Sequence, residues 1–121
     1  LCVQRFKHDK TKKFFLYHPN HCSAFKAELA LSLDVICHLV DDRVFESYMR
    51  DLFSCAEKYV IIYSSNTDKN PLLRLPHVKN REFSKWIEVN LPQWKLVKRV
   101  KNKYPNHFSD FFIYRKVKNP S

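Results

Sequence analysis

Leu31-Ser32-Leu33-Asp34-Val35-Ile36-Cys37-His38-Leu39-Val40-Asp41-Asp42 is the stretch from which the fold can be read. Together with the residues just before it, it makes positions 28–36 a nearly continuous apolar run, as expected of a buried strand in a parallel sheet. Asp41 and Asp42 then suit a helix start, because their carboxylates accept from free N–H groups and favour the positive end of the helix dipole. Beyond them Val44, Phe45, Tyr48, Met49, Leu52, Phe53 and Ala56 recur at the spacing of an amphipathic helix. Glu46 and Arg50 make an i,i+4 pair on its other side. A strand leading into a helix that lies on the sheet is the unit of an α/β layer fold.

The flanks extend the pattern. Residues 58–64 (KYVIIYS) are β-branched and aromatic and predict a second buried strand. Residues 65–76 are polar and bounded by proline, so they predict a loop. A second helix is expected over 81–91, capped by Asn80 and stopped by Pro92, with Phe83, Trp86, Ile87 and Leu91 inward. Residues 94–101 and 110–117 read as two more strands, joined by a link short enough for an antiparallel pair. At the other end, residues 1–8 read as the end of a helix and residues 12–17 as a short strand. One domain over residues 1–121 accounts for all of this, with no internal repeat.

Several of these segments, in this order, resemble class I S-adenosylmethionine-dependent methyltransferases. The run from Leu31 to Asp42, continued by Val44-Phe45-Glu46-Ser47-Tyr48-Met49, is similar to the family's fourth strand and following helix. Tyr59 to Asn66 looks like its fifth strand. His77-Val78 with Arg81, Phe83 and Trp86 resembles a segment that follows that strand, and Phe108 to Tyr114 the last, antiparallel strand. Phe6 to Tyr17 looks like the approach to the third strand. The resemblance covers most of this chain but only the second half of the family domain. It implies an α/β fold with a partial Rossmann-like methyltransferase sheet: parallel strands, a C-terminal antiparallel pair and two main helices.

What the resemblance lacks bears on function. The family's first strand, its Gly-rich turn and the acidic residue ending the second strand hold the cofactor, and none has a counterpart here. The chain contains no glycine, where average usage of roughly 7% predicts about eight. Glycine lets a backbone turn tightly and approach a bound nucleoside. The resemblance therefore implies no cofactor-binding residues and no cofactor held by this chain alone. S-adenosylmethionine is expected only if the missing half is supplied. In the family fold the absent first strand lies beside the strand at 28–36, so that strand is left with an open apolar edge. A partner chain or a second copy is expected to cover it.

Charge and cysteines narrow the setting. The net charge is +10, with +4 in residues 1–13, +7 in residues 95–121 and −1 between. Basic ends around a neutral middle suit contact with a polyanion, RNA above all, although lysines also keep edge strands from aggregating. Lys95, Lys98, Arg99, Lys101 and Lys103, interleaved with Trp94 and Tyr104, are the candidate nucleic-acid-binding group, since cations meet phosphates and aromatics stack on bases. No run reaches the ~18–20 apolar residues of a membrane helix. Cys37 and Cys55 fall in apolar segments, where free cysteine packs as a small hydrophobe. This favours a reducing intracellular compartment, cytoplasmic or an organellar matrix.

Asp34 ends the 28–36 strand at the carboxyl edge of the sheet, where open α/β sheets place ligands. By resemblance it sits near the cofactor's methyl group or the acceptor, and His38 is a candidate general base at the same mouth. These two are the catalytic candidates if the domain is active. A Cys37–His38 nucleophile pair is geometrically poor, because adjacent strand side chains point to opposite faces and meet only if the chain bends. His18, His21 and Cys22 are residue types that zinc accepts, but no second pair completes the site and no metal is expected. Two functions fit. The first is a methyltransferase-like remnant without autonomous catalysis, a structural subunit of a larger RNA-containing assembly such as an organellar ribosome. The second is the C-terminal part of an active methyltransferase whose cofactor half lies upstream or on another chain.

Overall fold

A computed structural model describes residues 1–18, 25–70, 76–104 and 108–118. Its elements run α1 (Cys2–Arg5), β1 (Ala27–Leu33), α2 (Asp42–Ser54), β2 (Ala56–Ser64), α3 (Phe83–Asn90), β3 (Trp94–Val100) and β4 (Asp110–Lys116), with a 3-10 turn at Ile36–His38. The strands form one sheet in the order β1-β2-β4-β3. β1 is parallel to β2, and β4 is antiparallel to both β2 and β3. This is the expected α/β architecture: a parallel pair extended by a C-terminal antiparallel pair.

Strand periodicity sorts the side chains to two faces. Ala30, Val60 and Tyr114 share one cross-strand row, and Ser32, Ile62 and Phe112 the next. Both helices cover this face. Phe45, Met49 and Phe53 of α2 and Phe83 and Ile87 of α3 are buried with Val60, Ile62, Phe112 and Tyr114 in one cluster. Edge-to-face contacts lock it: Phe53 lies 5.7 Å from Tyr114 and Phe83 lies 4.9 Å from Phe112 between ring centroids. Such pairs add ~0.5–1.5 kcal/mol each beyond the area they bury.

Among the described residues the opposite face has no such cover. Its rows read Leu29–Tyr59–Arg115–Lys95, Leu31–Ile61–Ile113–Lys98 and Leu33–Tyr63–Phe111–Val100. Leu29, Leu31 and Leu33 are 43%, 52% and 51% exposed, so β1 is buried on one face only. A strand carrying the apolar run of a doubly covered sheet here shows half of it to solvent. Among the described residues no strand pairs with the outer edge of β1.

Several boundaries differ from the sequence expectation. The strand expected over 28–36 ends at Leu33, because Asp34 adopts φ 60° and turns the chain. That left-handed conformation suits glycine best; in a chain without glycine it falls to Asp, whose short polar side chain tolerates it. No strand forms at 12–17, a segment without a ladder partner among the described residues. Asn80 does not cap α3, whose N-cap is Glu82. The N–H groups of Glu82 and Ser84 instead donate to the Asp68 and Asn66 side chains.

On α2 the cap is as expected: the Asp41 carboxylate accepts from the Arg43 and Val44 N–H groups. The Glu46–Arg50 pair is not formed. The Arg50 guanidinium lies 5.4 Å from the Trp86 ring and donates to Asn90, since α3 offers it a flat π-face within reach. Val44 is 51% exposed rather than packed. Cys55 is disulfide-bonded rather than a free buried thiol, which removes it from the argument for a reducing compartment. His21 and Cys22 lie outside the described residues.

Candidate functional site

The carboxyl ends of β1 and β2 form a mouth, and the turn after β1 builds one side of it. The Asp34 N–H donates to the Tyr63 carbonyl at 2.9 Å, so the turn starts tied to β2. The 3-10 turn follows at once, closed by N–H bonds from His38 to Val35 and from Leu39 to Ile36. This is the bend whose absence argued against Cys37 and His38 working together. With it, one ligand atom each of Asp34, Cys37 and His38 lie within 4.8 Å of one another. The Cys37 thiol points at the Asp34 carboxylate, Sγ to Oδ1 3.8 Å. Burial, and then the neighbouring carboxylate, push the Cys37 thiol up from its ordinary range. It is therefore a neutral thiol at neutral pH and no nucleophile by itself.

The segment before α3 is tied to the turn after β1 and to the start of α2. The Lys79 N–H donates to the Cys37 carbonyl at 2.8 Å. Arg81, its side chain only 10% exposed, donates to the Leu39 and Val40 carbonyls and to the Asp42 carboxylate. Its guanidinium also stacks 4.4 Å over the Phe45 ring. Hydrogen bonds from Lys79 and then Arg81 hold the Asp42 carboxyl down at about 2. Arg81 thus ties the turn after β1, the start of α2 and the approach to α3 into one unit. In the sequence it stood out only by resemblance, because nothing in its spacing marks a long-range staple. On the β2 side, Ser65 donates to Asn80 at 3.0 Å and Asn66 to Ser84 at 2.8 Å. The polar residues that end β2 are occupied in fixing the loop to α3.

The basic candidates lie at the far edge of the sheet and do not form one group. Arg99 is engaged: it donates to the Asp110 carboxylate at 2.7 Å and stacks over Phe112 on the helix-covered face. Hydrogen bonds from the Asn102 N–H and then Arg99 hold that carboxyl below its usual range. Lys95 and Lys98 project from the open face instead, in the rows of Arg115 and Ile113. A β-bulge between Leu96 and Lys98 re-aims this edge. Lys101 and Lys103 continue past the strand, the latter beside Tyr104 at 5.4 Å. Arg115 and Lys116 were missed as members of this patch; only the antiparallel register sets Arg115 opposite Lys95. A wide groove of about 1350 Å³ at this end includes Lys58, Tyr59, Arg115, Lys116 and Lys118 in its lining, far from the mouth.

No family model matches this chain, and no curated protein does. Among solved structures, the magnesium protoporphyrin IX methyltransferase of Synechocystis PCC 6803, with bound SAM, is similar with a TM-score of 0.59 and 14% identity. The match covers 95% of this chain and 51% of that one, so this chain spans about half the length of the protein it resembles. The fold is methyltransferase-like, a partial Rossmann-like sheet. At that identity the likeness concerns architecture.

Proposed function

We propose that this chain is the part of a methyltransferase-type domain that does not hold the cofactor, and that it has no catalysis of its own. A second segment, upstream in the same polypeptide or on another chain, completes the domain along β1. The observation that carries this reading is the edge of β1, which no strand among the described residues pairs, beside an apolar face where Leu29, Leu31 and Leu33 are about half exposed. A leucine left half exposed forfeits roughly half of the ~1.5–3 kcal/mol that full burial gives. The lack of any glycine-rich cradle agrees with it. The mouth residues Asp34 and His38 stand at the carboxyl edge of the sheet, where an acceptor and a supplied S-adenosylmethionine would meet, so the completed domain is read as an enzyme. Calorimetric titration of this chain with S-adenosylmethionine tests the proposal. No binding heat at micromolar cofactor is expected, and micromolar affinity for the chain alone overturns it.

A second reading, a structural subunit of an RNA-containing assembly, is favoured by one specific arrangement. Lys95 and Arg115 are direct cross-strand partners, and neither has an acidic partner among the described residues. Like charges placed opposite one another are destabilising, and a phosphate between them turns the repulsion into two contacts. Anisotropy of a labelled ribo-oligonucleotide across a salt series checks it. Affinity that falls steeply with salt and weakens in Lys95→Gln and Arg115→Gln is expected. Negligible binding at low salt removes this reading and leaves the first untouched.

A further inference from the structure

We propose that Asp34, Cys37 and His38 form a three-ligand site for a zinc-class divalent cation, with a fourth position open to solvent at the mouth of the sheet. The site does not depend on whether the chain takes part in methyl transfer. Three observations carry it. The donor set is one carboxylate, one thiol and one imidazole, each a zinc ligand in its own right. The three donor atoms already lie within 4.8 Å of one another. The backbone that presents them is held by bonds at both ends: Asp34 N–H to Tyr63, and Lys79 N–H to the Cys37 carbonyl.

The spacing of the donor atoms is close to that of a metal site. Zinc bonds of about 2.0–2.3 Å in a tetrahedron put ligand atoms roughly 3.3–3.8 Å apart. The Cys37 sulfur and Asp34 oxygen are at 3.8 Å, so that edge of the tetrahedron is in place. The other separations are at most 4.8 Å, so closing them to that spacing takes side-chain movement of about 1 Å. All three ligands come from five consecutive residues, so binding orders little additional chain. The nearby cations do not oppose it, because Lys79 and Arg81 are both paired to Asp42. On binding, the Cys37 thiol gives its proton to water and its sulfur to the metal. The carboxylate that disfavours a bare thiolate then becomes a co-ligand, and the sign of its effect reverses. Three protein ligands and one open position are the pattern of zinc that receives a water or a substrate atom, rather than of a closed structural site.

The protein is titrated with Zn²⁺ against a chromophoric chelator, and separately with Co²⁺ under argon without reductant. One zinc per chain and a thiolate-to-cobalt charge-transfer band in the near ultraviolet are expected. Cys37→Ser abolishes the band, and Cys2→Ser, at the other free thiol among the described residues, leaves it unchanged. His38→Ala and Asp34→Asn each weaken zinc by at least about 100-fold, since changes outside the ligand set alone cost ~10–100-fold. Asn is chosen because it tolerates the left-handed backbone at position 34. Alkylation mapped by mass spectrometry on the unaltered protein needs no variant: Zn²⁺ is expected to shield Cys37 and not Cys2. An absent cobalt–thiolate band, a band that survives Cys37→Ser, or equal alkylation of Cys37 with and without Zn²⁺ overturns the site.

Discussion

Replacing Arg81 by Ala removes the staple that ties the approach to α3 to the start of α2, and the structure sets the size of the effect. The side chain is 10% exposed and donates to the Leu39 and Val40 carbonyls, bonds that come from a charged donor. Such bonds contribute ~1.5–3 kcal/mol each net, and rehydration of the freed carbonyls favours the low end. The Asp42 pair adds little, because that carboxylate faces water. Stacking over Phe45 at 4.4 Å adds ~0.5–2 kcal/mol. The expected loss is about 4 kcal/mol, a large share of the ~5–15 kcal/mol that holds a domain folded. At roughly 4 °C per kcal/mol for a chain of this size, the thermal midpoint falls by about 16 °C. Urea unfolding gives the free energy, and Arg81→Lys dissects it. Lysine keeps a cation for Asp42 but loses the fork to two carbonyls, so it recovers less than half. If Arg81→Ala costs under about 1 kcal/mol and Arg81→Lys matches the parent, the staple is a surface ion pair and the reasoning fails.

Phe83→Ala, which empties a fully buried position against Phe112, is expected to cost ~3–5 kcal/mol in urea denaturation and to leave little folded protein. The Asp42 carboxyl, folded at about 2, lies below its ordinary value. It therefore favours the folded state fully above about pH 4, and that contribution is lost as pH falls toward 2. A pH series of urea midpoints should show the loss, and Asp42→Asn should abolish this component. The Tyr17 phenol is pushed up to about 12 by burial and by Asp51, so its contribution is complete below about pH 10 and lost as pH rises toward 12. Tyr17→Phe should flatten that alkaline limb in absorbance-monitored unfolding. Leu31→Lys on the open face is expected to leave stability within ~0.5 kcal/mol, as for a surface site, while lowering dye binding and self-association. A large destabilisation would mean that the face is covered.

Much of the fold was legible in the sequence because its signals are local. Asp41 caps α2 as its position predicts, and Phe45, Met49 and Phe53 are buried at helical spacing. The strands at 94–100 and 110–116 form the antiparallel pair expected of them, and the β-branched run before Ser64 forms a strand as expected. The misses come where a distant partner overrules the local pattern. Asn80 looks like a helix cap, but its amide is bonded to the 65–70 loop, and Asn66 and Asp68 serve α3 in its place. Glu46 and Arg50 have the spacing of a pair, yet Arg50 lies over Trp86 and donates to Asn90 instead. Residues 12–17 have strand propensity but no ladder to join among the described residues, and a lone strand gains nothing from propensity.

The candidate sites divide the same way. Asp34 and His38 were visible as residues at a strand end, whereas their meeting with Cys37 depends on a left-handed residue and a 3-10 turn that alternation does not forecast. The basic C-terminal segment was visible as composition, but β3–β4 register separates Arg99, spent on Asp110, from Lys95, set against Arg115.

By itself the sequence determined the α/β class, the parallel core with its antiparallel pair, the helix faces and the absence of a glycine-rich cradle. Each follows from periodicity or residue type, which are properties of neighbours in the chain. Only the tertiary structure decided that both helices cover one face of the sheet, that Leu29, Leu31 and Leu33 stay open to water, and that Asp34, Cys37 and His38 converge. The physical reason is that an apolar run records what a strand is able to bury, while packing settles what it does bury.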